Sequence, residues 1–228
     1  YPVNLFFTQE GYFKKITPQS LRMSGEHKLK EGDKVVLQQE NTNAAELLFF
    51  TDRCQVYKAR ACDFEDTKAS VLGDYIPAKL GMDEGENAVC MVITKDYSGH
   101  MLFFFENGKM SKVPLSCYKT KTRRKRLINA YGAKSPIAAI IAATGEREYM
   151  LTSSAGRVLL VHSGAVAEKS TKDNQGLSVM TLKKAQKLSS AVPFEEQMLG
   201  NAHRFRTKLL PSAGAIPKER DLGEQMTI

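Results

Sequence analysis

One pattern occurs four times in the sequence, and this repeat restricts the possible fold more than any other feature. Each copy consists of an apolar strand, a turn and a second strand, at residues 5–15, 48–58, 102–112 and 150–160. A three-residue hairpin loop requires a left-handed residue at its third position, where glycine avoids a Cβ clash. Gly11, Gly108 and Gly156 occupy that position. Cys54 replaces glycine in the second copy, so we expect a distorted hairpin or a different turn there.

The spacing of these hairpins predicts an all-β fold. The third turn residues lie at positions 11, 54, 108 and 156, a period that is typical of four-stranded blades in a radial β array. Helical periodicity is weak throughout. We therefore predict a single propeller-like domain over residues 1–228 with about five four-stranded blades. Four repeats are clear, at approximately 4–45, 46–98, 99–146 and 147–197, and residues 198–228 form a degenerate, partial fifth.

The paired phenylalanines of the repeats are predicted to form the core. They stand at positions 6 and 7, 49 and 50, and 103 and 104, which is too regular for base-stacking platforms. Burying one such ring contributes roughly 2–3 kcal/mol, enough to explain the repeat without a function. The four cysteines have no C-x-x-C spacing and are not bracketed by the histidines. We therefore expect neither a zinc site nor a disulfide framework.

Charge is the first indication of a binding partner. The chain has 33 Lys and Arg residues against 25 Asp and Glu residues, a net charge of +8. Residues 109–126 contain eight basic residues and no acidic one, whereas residues 62–87 contain seven acidic residues and two basic ones. A basic loop of this kind can neutralise phosphates. From the residues alone, a solubilising loop or a contact with the acidic second repeat remains an alternative.

The repeats resemble the C-terminal domain of the A subunit of bacterial type IIA topoisomerases, the DNA gyrase and topoisomerase IV family. The resemblance covers residues 4 to about 197. It rests on Phe-Phe-Thr-x-x-Gly-Tyr-x-Lys-Lys at 6–15, Phe-Phe-Thr-x-x-x-x-Val-Tyr-Lys at 49–58 and Gly-Lys-Met-Ser-Lys-Val-Pro-Leu at 108–115. It implies a β-pinwheel whose blades exchange strands, and which binds and bends duplex DNA around a basic outer rim.

The resemblance also implies what the chain does not do. In this family the DNA-cleaving tyrosine lies in an upstream domain and the ATPase on a separate B subunit, so none of the eight tyrosines here is carried over to that role. We expect no cofactor in this domain, with ATP and Mg used elsewhere in the parent enzyme. The connector where gyrase carries its glycine- and arginine-rich box reads Leu-Arg-Met-Ser-Gly-Glu-His-Lys at 21–28, and no such box occurs in the chain. This favours topoisomerase IV, although a divergent gyrase stays possible.

The predicted DNA contacts follow the basic connectors of the first, third and fourth repeats and the C-terminal segment, since the acidic second repeat should repel DNA. They are Lys14, Lys15, Arg22, Lys28, Lys30, Lys109, Lys112, Lys119, Lys121, Arg123, Arg124, Lys125, Arg126, Arg157, Lys169, Lys172, Arg204, Arg206 and Lys208. No recognition-helix pattern is present, so we expect contacts with phosphates that do not depend on base sequence.

Two other functions remain open on the sequence. A propeller could present its basic face to an acidic protein partner, or hold a hydrolytic site in its central channel. The second is the weaker, because the acidic residues do not recur at one repeat position. The longest aliphatic run, 137–143, is too short for a membrane helix, and we expect no signal peptide, because no basic segment followed by an apolar stretch is visible. We expect a cytoplasmic, nucleoid-associated domain whose partners are duplex DNA, the B subunit, and the rest of the A subunit.

Overall fold

The computed structural model describes residues 1–223, and most of its regular secondary structure is β-strand. Its two helices are short, α1 at Pro18–Arg22 and α2 at Ile76–Lys79. The strands are β1 Pro2–Thr8, β2 Tyr12–Ile16, β3 Val35–Thr42, β4 Glu46–Thr51, β5 Val56–Arg60, β6 Asp74–Tyr75, β7 Ala88–Thr94, β8 His100–Phe105, β9 Lys109–Pro114, β10 Arg126–Leu127, β11 Ile137–Ala143, β12 Glu148–Ser153, β13 Val158–His162, β14 Leu177–Ser178 and β15 Leu188–Pro193.

The chain divides into two compact units, each with two antiparallel sheets. The first unit comprises Tyr1–Tyr97 and Tyr118–Ala130, and the second comprises Ser98–Cys117 and the chain from Tyr131. The sheet orders are β3-β1-β2-β6 and β10-β5-β4-β7 in the first unit, and β11-β8-β9-β14 and β13-β12-β15 in the second. The four predicted hairpins therefore occupy equivalent places, one in each sheet.

Each four-stranded sheet takes its last strand from a later part of the chain. Strand β6 pairs with β2, β10 pairs with β5, and β14 pairs with β9. Residues 118–130, which belong to the predicted third repeat at 99–146, fold with the first unit. This segment joins the first unit because its strand β10 pairs with β5, although it follows the third hairpin in the sequence.

The predicted fifth repeat forms no sheet of its own within residues 198–223. These residues form three-residue and four-residue 3-10 turns and isolated bridges, including Ala215 with Val158. This bridge lies on the edge of β13 where the other sheets accept their exchanged strand. The segment lacks the alternating apolar pattern of a hairpin, so it completes the fourth sheet instead of starting a fifth.

Two backbone features place the turns and the exchanged strands. Cys54 adopts a φ of 58°, the same left-handed conformation as the three turn glycines, so the expectation of a distorted second hairpin was wrong. Gly73, Gly176 and Gly214 also have positive φ and lie against the neighbouring strand. A Cβ there would stand 2.4–2.7 Å from a carbonyl oxygen, so only glycine permits the exchanged strands to approach.

The paired phenylalanines are buried, as predicted. Phe6, Phe7, Phe49, Phe50, Phe103 and Phe104 are each at most 2% exposed. In the first unit, the Phe13 ring lies 4.5 Å from Phe64 and 6.2 Å from Phe49, both edge-on. In the second unit, the Phe103 ring stacks on Tyr131 at 4.9 Å. Since neighbouring side chains of a strand point to opposite faces, the two phenylalanines of each pair bury both faces of their strand.

Candidate nucleic-acid interface

The predicted basic cluster forms an exposed loop whose two ends are held together. Residues 119–125, here called the basic strap, contain no helix or strand, and their five basic side chains are exposed. The strap is preceded by Tyr118, which is fully buried and donates its hydroxyl to the carbonyl of Ala130 at 2.7 Å. At the other end, the backbone N–H of Lys58 donates to the carbonyl of Lys125 at 2.7 Å. Five like charges are therefore displayed on a closed loop.

A cleft of about 510 Å³ lies between the strap and the second hairpin. Besides the strap, Lys58 and Arg60 contribute positive charge to its lining, against the carboxylates of Glu46 and Asp63. The Lys58 ammonium lies 3.1 Å from the Thr120 hydroxyl and 5.3 Å from the centre of the Tyr97 ring. Sequence analysis missed Lys58 and Arg60 as lining residues. The signal was present, because Lys58 stands at the hairpin position that lysine also occupies at 15 and 112.

Other predicted contacts are also exposed, and one of them, Lys30, lines a cleft of about 710 Å³ beside Tyr12 and Tyr75. In the first unit these are Arg22, Lys28 and Lys30, and in the second unit Lys169 and Lys208. Lys30 places its ammonium 5.8 Å from the centre of the Tyr12 ring. Lys109 and Lys172 are half-buried.

Three of the predicted DNA contacts are instead buried lysines that bond within the fold. Lys14, Lys15 and Lys112 are 2%, 3% and 7% exposed. The Lys14 ammonium donates to the carbonyls of Lys28 and Ala69, both at 2.9 Å. Its burial lowers its pKa. The predicted phosphate contact is corrected for all three, because their side chains are buried and their ammonium groups bond to protein acceptors.

Lys15 and Lys112 make the same contact in different repeats. The Lys15 ammonium donates to the carbonyl of Ala61 at 3.0 Å, and that of Lys112 donates to the carbonyl of Ser163 at 3.1 Å. Ala61 and Ser163 each begin the 3-10 turn that follows the next hairpin. Lys112 also pairs with Glu146 at 2.9 Å. The repeated lysine therefore joins consecutive repeats and is part of the fold.

Four predicted arginines have protein partners. Arg206 makes two hydrogen bonds of 2.8 Å with Glu148, and Arg157 donates to the carbonyl of Gly214 at 2.9 Å. Arg204 pairs with Asp221, whose carboxylate is buried. Arg126 lies 3.6 Å from Asp83. These contacts stabilise the C-terminal segment and the end of the strap, so these arginines are weaker candidates for phosphate contacts than the strap.

The described part of the chain holds no group of three or more His, Cys, Asp or Glu side chains that could bind a metal ion. Within the same residues, no helix has the length and apolarity needed to cross a membrane. Of the four cysteines, Cys62 is exposed and the other three are half-buried.

Strands exchanged between β-hairpin repeats, with basic connectors at the surface, define a class of repeat-built all-β domain. Comparison with solved structures identifies the fold. The crystal structure of the C-terminal domain of DNA topoisomerase IV superposes with a TM-score of 0.77 at 21% identity, covering 87% of this chain and 63% of that one. The C-terminal domain of E. coli ParC gives 0.67 at 12% identity over 96% of both chains. The DNA gyrase A C-terminal domain gives 0.59 at 13% identity, covering 98% of this chain and 80% of that one.

The curated proteins that are similar in sequence are also A subunits of a topoisomerase IV and of a gyrase. The A subunit of DNA topoisomerase 4 from Bacillus subtilis is 26% identical over 125 residues, 53% of this chain. The A subunit of the probable chloroplastic/mitochondrial DNA gyrase of Oryza sativa subsp. japonica is 20% identical over 197 residues, 82% of this chain. The matches span only 16% and 21% of those relatives. No family model matches the chain. The predicted all-β pinwheel and the predicted resemblance to the C-terminal domain of type IIA topoisomerase A subunits are confirmed.

Proposed function

We propose that this chain is the non-catalytic DNA-binding domain of a type IIA topoisomerase A subunit, and that it bends or wraps duplex DNA for ATP-dependent strand passage. The observation that carries the proposal is the basic strap, which displays five exposed cations on a loop with fixed ends. Phosphate contacts of this kind give affinity without base recognition. Bending a short site costs on the order of 1–6 kcal/mol, which several dispersed contacts can offset.

Two finer features belong to the same proposal. The missing gyrase-type box and the topoisomerase IV relatives support a topoisomerase IV-like subunit over a gyrase. DNA cleavage, ATP hydrolysis and the Mg that they use are assigned to the B subunit, and to the rest of the A subunit. A parent enzyme of this kind acts on the chromosome, so a cytoplasmic, nucleoid-associated location follows from the proposal.

The test is a set of DNA-binding titrations at several salt concentrations. The variant replaces Arg123, Arg124 and Lys125 by Ala, and its charge-matched control replaces the exposed Lys183, Lys184 and Lys187. Each lost phosphate contact should reduce the log–log salt slope by about 0.9, so the strap variant should lose up to about 2.7. The control should lose much less. Exposed charges contribute little to folding, so both variants should melt like the wild type.

Three results would contradict the proposal. Equal losses in the strap variant and the control would show that binding is not located at the strap. Strong dependence on base sequence would indicate direct base recognition. Binding to an acidic peptide without binding to duplex DNA would favour the protein-interaction function. DNA bending is tested separately by religating nicked circular DNA with the chain bound, where an unchanged linking number would exclude wrapping.

A further inference from the structure

The residue that follows the basic strap contacts an acidic residue of the second repeat. Arg126 follows the strap directly, and its Nη1 lies 3.6 Å from Oδ1 of Asp83. The centre of its guanidinium group lies 6.0 Å from the centre of the Tyr57 ring. Arg126 is the direct partner of Tyr57 in the pairing of β10 with β5, and a hydrogen bond with Tyr57 is the main cause that raises the pKa of Arg126. Arg126 therefore connects the strap to Tyr57, and through Tyr57 to the group that accepts the hydrogen bond from the Tyr57 hydroxyl.

The group that holds the Tyr57 hydroxyl is a buried carboxylate. Glu86 is 2% exposed, and its side chain accepts from the Tyr57 hydroxyl at 2.9 Å and from Gln55 Nε2 at 2.8 Å. The backbone N–H of Asp83 donates to the same carboxylate at 3.0 Å. A buried carboxylate with several donors has one defined position. Glu86 thus provides a fixed point inside the first unit.

We infer that Glu86, Tyr57 and Asp83 position the basic strap through Arg126, so that the acidic second repeat supports polyanion binding instead of opposing it. Five like charges on a seven-residue loop repel one another. Without helix or strand, that loop depends on contacts at its ends for order. A loop ordered before binding avoids the entropic cost of ordering it on the DNA.

A positioning role for Asp83 predicts the opposite effect on DNA affinity from the one that its negative charge alone predicts. Replacing an exposed carboxylate beside a DNA-binding loop should strengthen DNA binding, because it removes repulsion. If Asp83 positions the strap, Asp83→Asn should weaken binding instead. Tyr57→Phe separates the two effects most clearly, since it keeps the buried ring and the net charge and removes only the hydroxyl between Glu86 and Arg126.

The experiment measures strap order first and DNA binding second, because only the second readout rests on the proposed function. Trypsin cleaves after Lys and Arg, so the rate of native-state cleavage within 119–126 reports local opening of the strap. Tyr57→Phe should raise this rate roughly two- to tenfold, the range expected for one lost hydrogen bond. DNA affinity should fall by up to the same factor. The controls are Tyr149→Phe, a buried hydroxyl of the second unit, and Glu84→Gln, an exposed acid next to Asp83.

The outcomes separate the inference from the proposed function. Unchanged strap cleavage in both Tyr57→Phe and Asp83→Asn would overturn the inference, as would an Asp83→Asn variant that binds DNA more tightly, as Glu84→Gln should. Faster cleavage confined to the strap, with unchanged cleavage elsewhere in the chain, would support it. If the wild-type chain bound no DNA, the proposed function would fail, and the cleavage rates would still decide whether these residues hold the strap.

Discussion

The buried lysine of the repeat makes a prediction that separates folding from DNA binding. Lys15→Met keeps an unbranched side chain that is one atom shorter, and it removes the ammonium group with its charge. The change deletes hydrogen bonds from the ammonium to the carbonyl of Ala61 at 3.0 Å and to Oδ1 of Asn43 at 2.7 Å. A hydrogen bond from a charged group contributes about 1.5–3 kcal/mol. Relief of the lysine's desolvation offsets part of that loss. We therefore expect the free energy of unfolding to fall by about 2–3 kcal/mol.

The assay compares a melting curve with a DNA titration. For a chain of this size, 1 kcal/mol corresponds to roughly 2–4 °C in Tm, so Lys15→Met should melt roughly 4–12 °C below the wild type. DNA affinity, measured well below the melting midpoint, should stay near the wild-type value. The strap variant at 123–125 should show the reverse, with weaker DNA binding and an unchanged Tm. An unchanged Tm together with weakened DNA binding in Lys15→Met would refute the structural role.

Two further predictions concern the backbone and the pH response. Gly176→Ala should destabilise the chain by more than the roughly 1–3 kcal/mol of left-handed strain, because its Cβ would lie 2.7 Å from the carbonyl oxygen of Met110. Gly156→Ala, with a similar φ and open space, is the control in urea denaturation, and equal losses would exclude the clash. Hydrogen bonds, chiefly from the backbone of Lys218, lower the pKa of Asp221 from about 3.8 to about 2. Asp221 should therefore stabilise the fold above pH 4, and this contribution should disappear as pH falls through about 2. Melting curves should show a smaller loss over this range in Asp221→Asn, and identical pH profiles would contradict the assignment.

The local part of this fold could be predicted from the sequence. The apolar strands and the glycines of the turns are local signals, because strand periodicity and left-handed turns depend on a few neighbouring residues. The four hairpins, the burial of Phe49 and Phe103 and the exposed basic connector at 119–125 were predicted on that basis. The turn at Cys54 was the exception, because a hairpin that is held by its neighbours can impose a left-handed conformation on a residue other than glycine.

The resemblance implied strand exchange, but the tertiary structure decided which segments are exchanged and which lysines are buried. Exchange depends on which sheet edge a later segment can reach. The need for glycine at 73 and 176 is therefore visible only in the folded chain, where each lies against the backbone of another strand. Lys15 and Lys125 carry the same charge, yet one is buried against the amide oxygen of Asn43 and the carbonyl of Ala61, and the other lies on an exposed loop. A side chain's charge is set by its own chemistry. Its surroundings are set by residues distant in sequence, and these decide whether the charge holds the fold together or remains available to a polyanion.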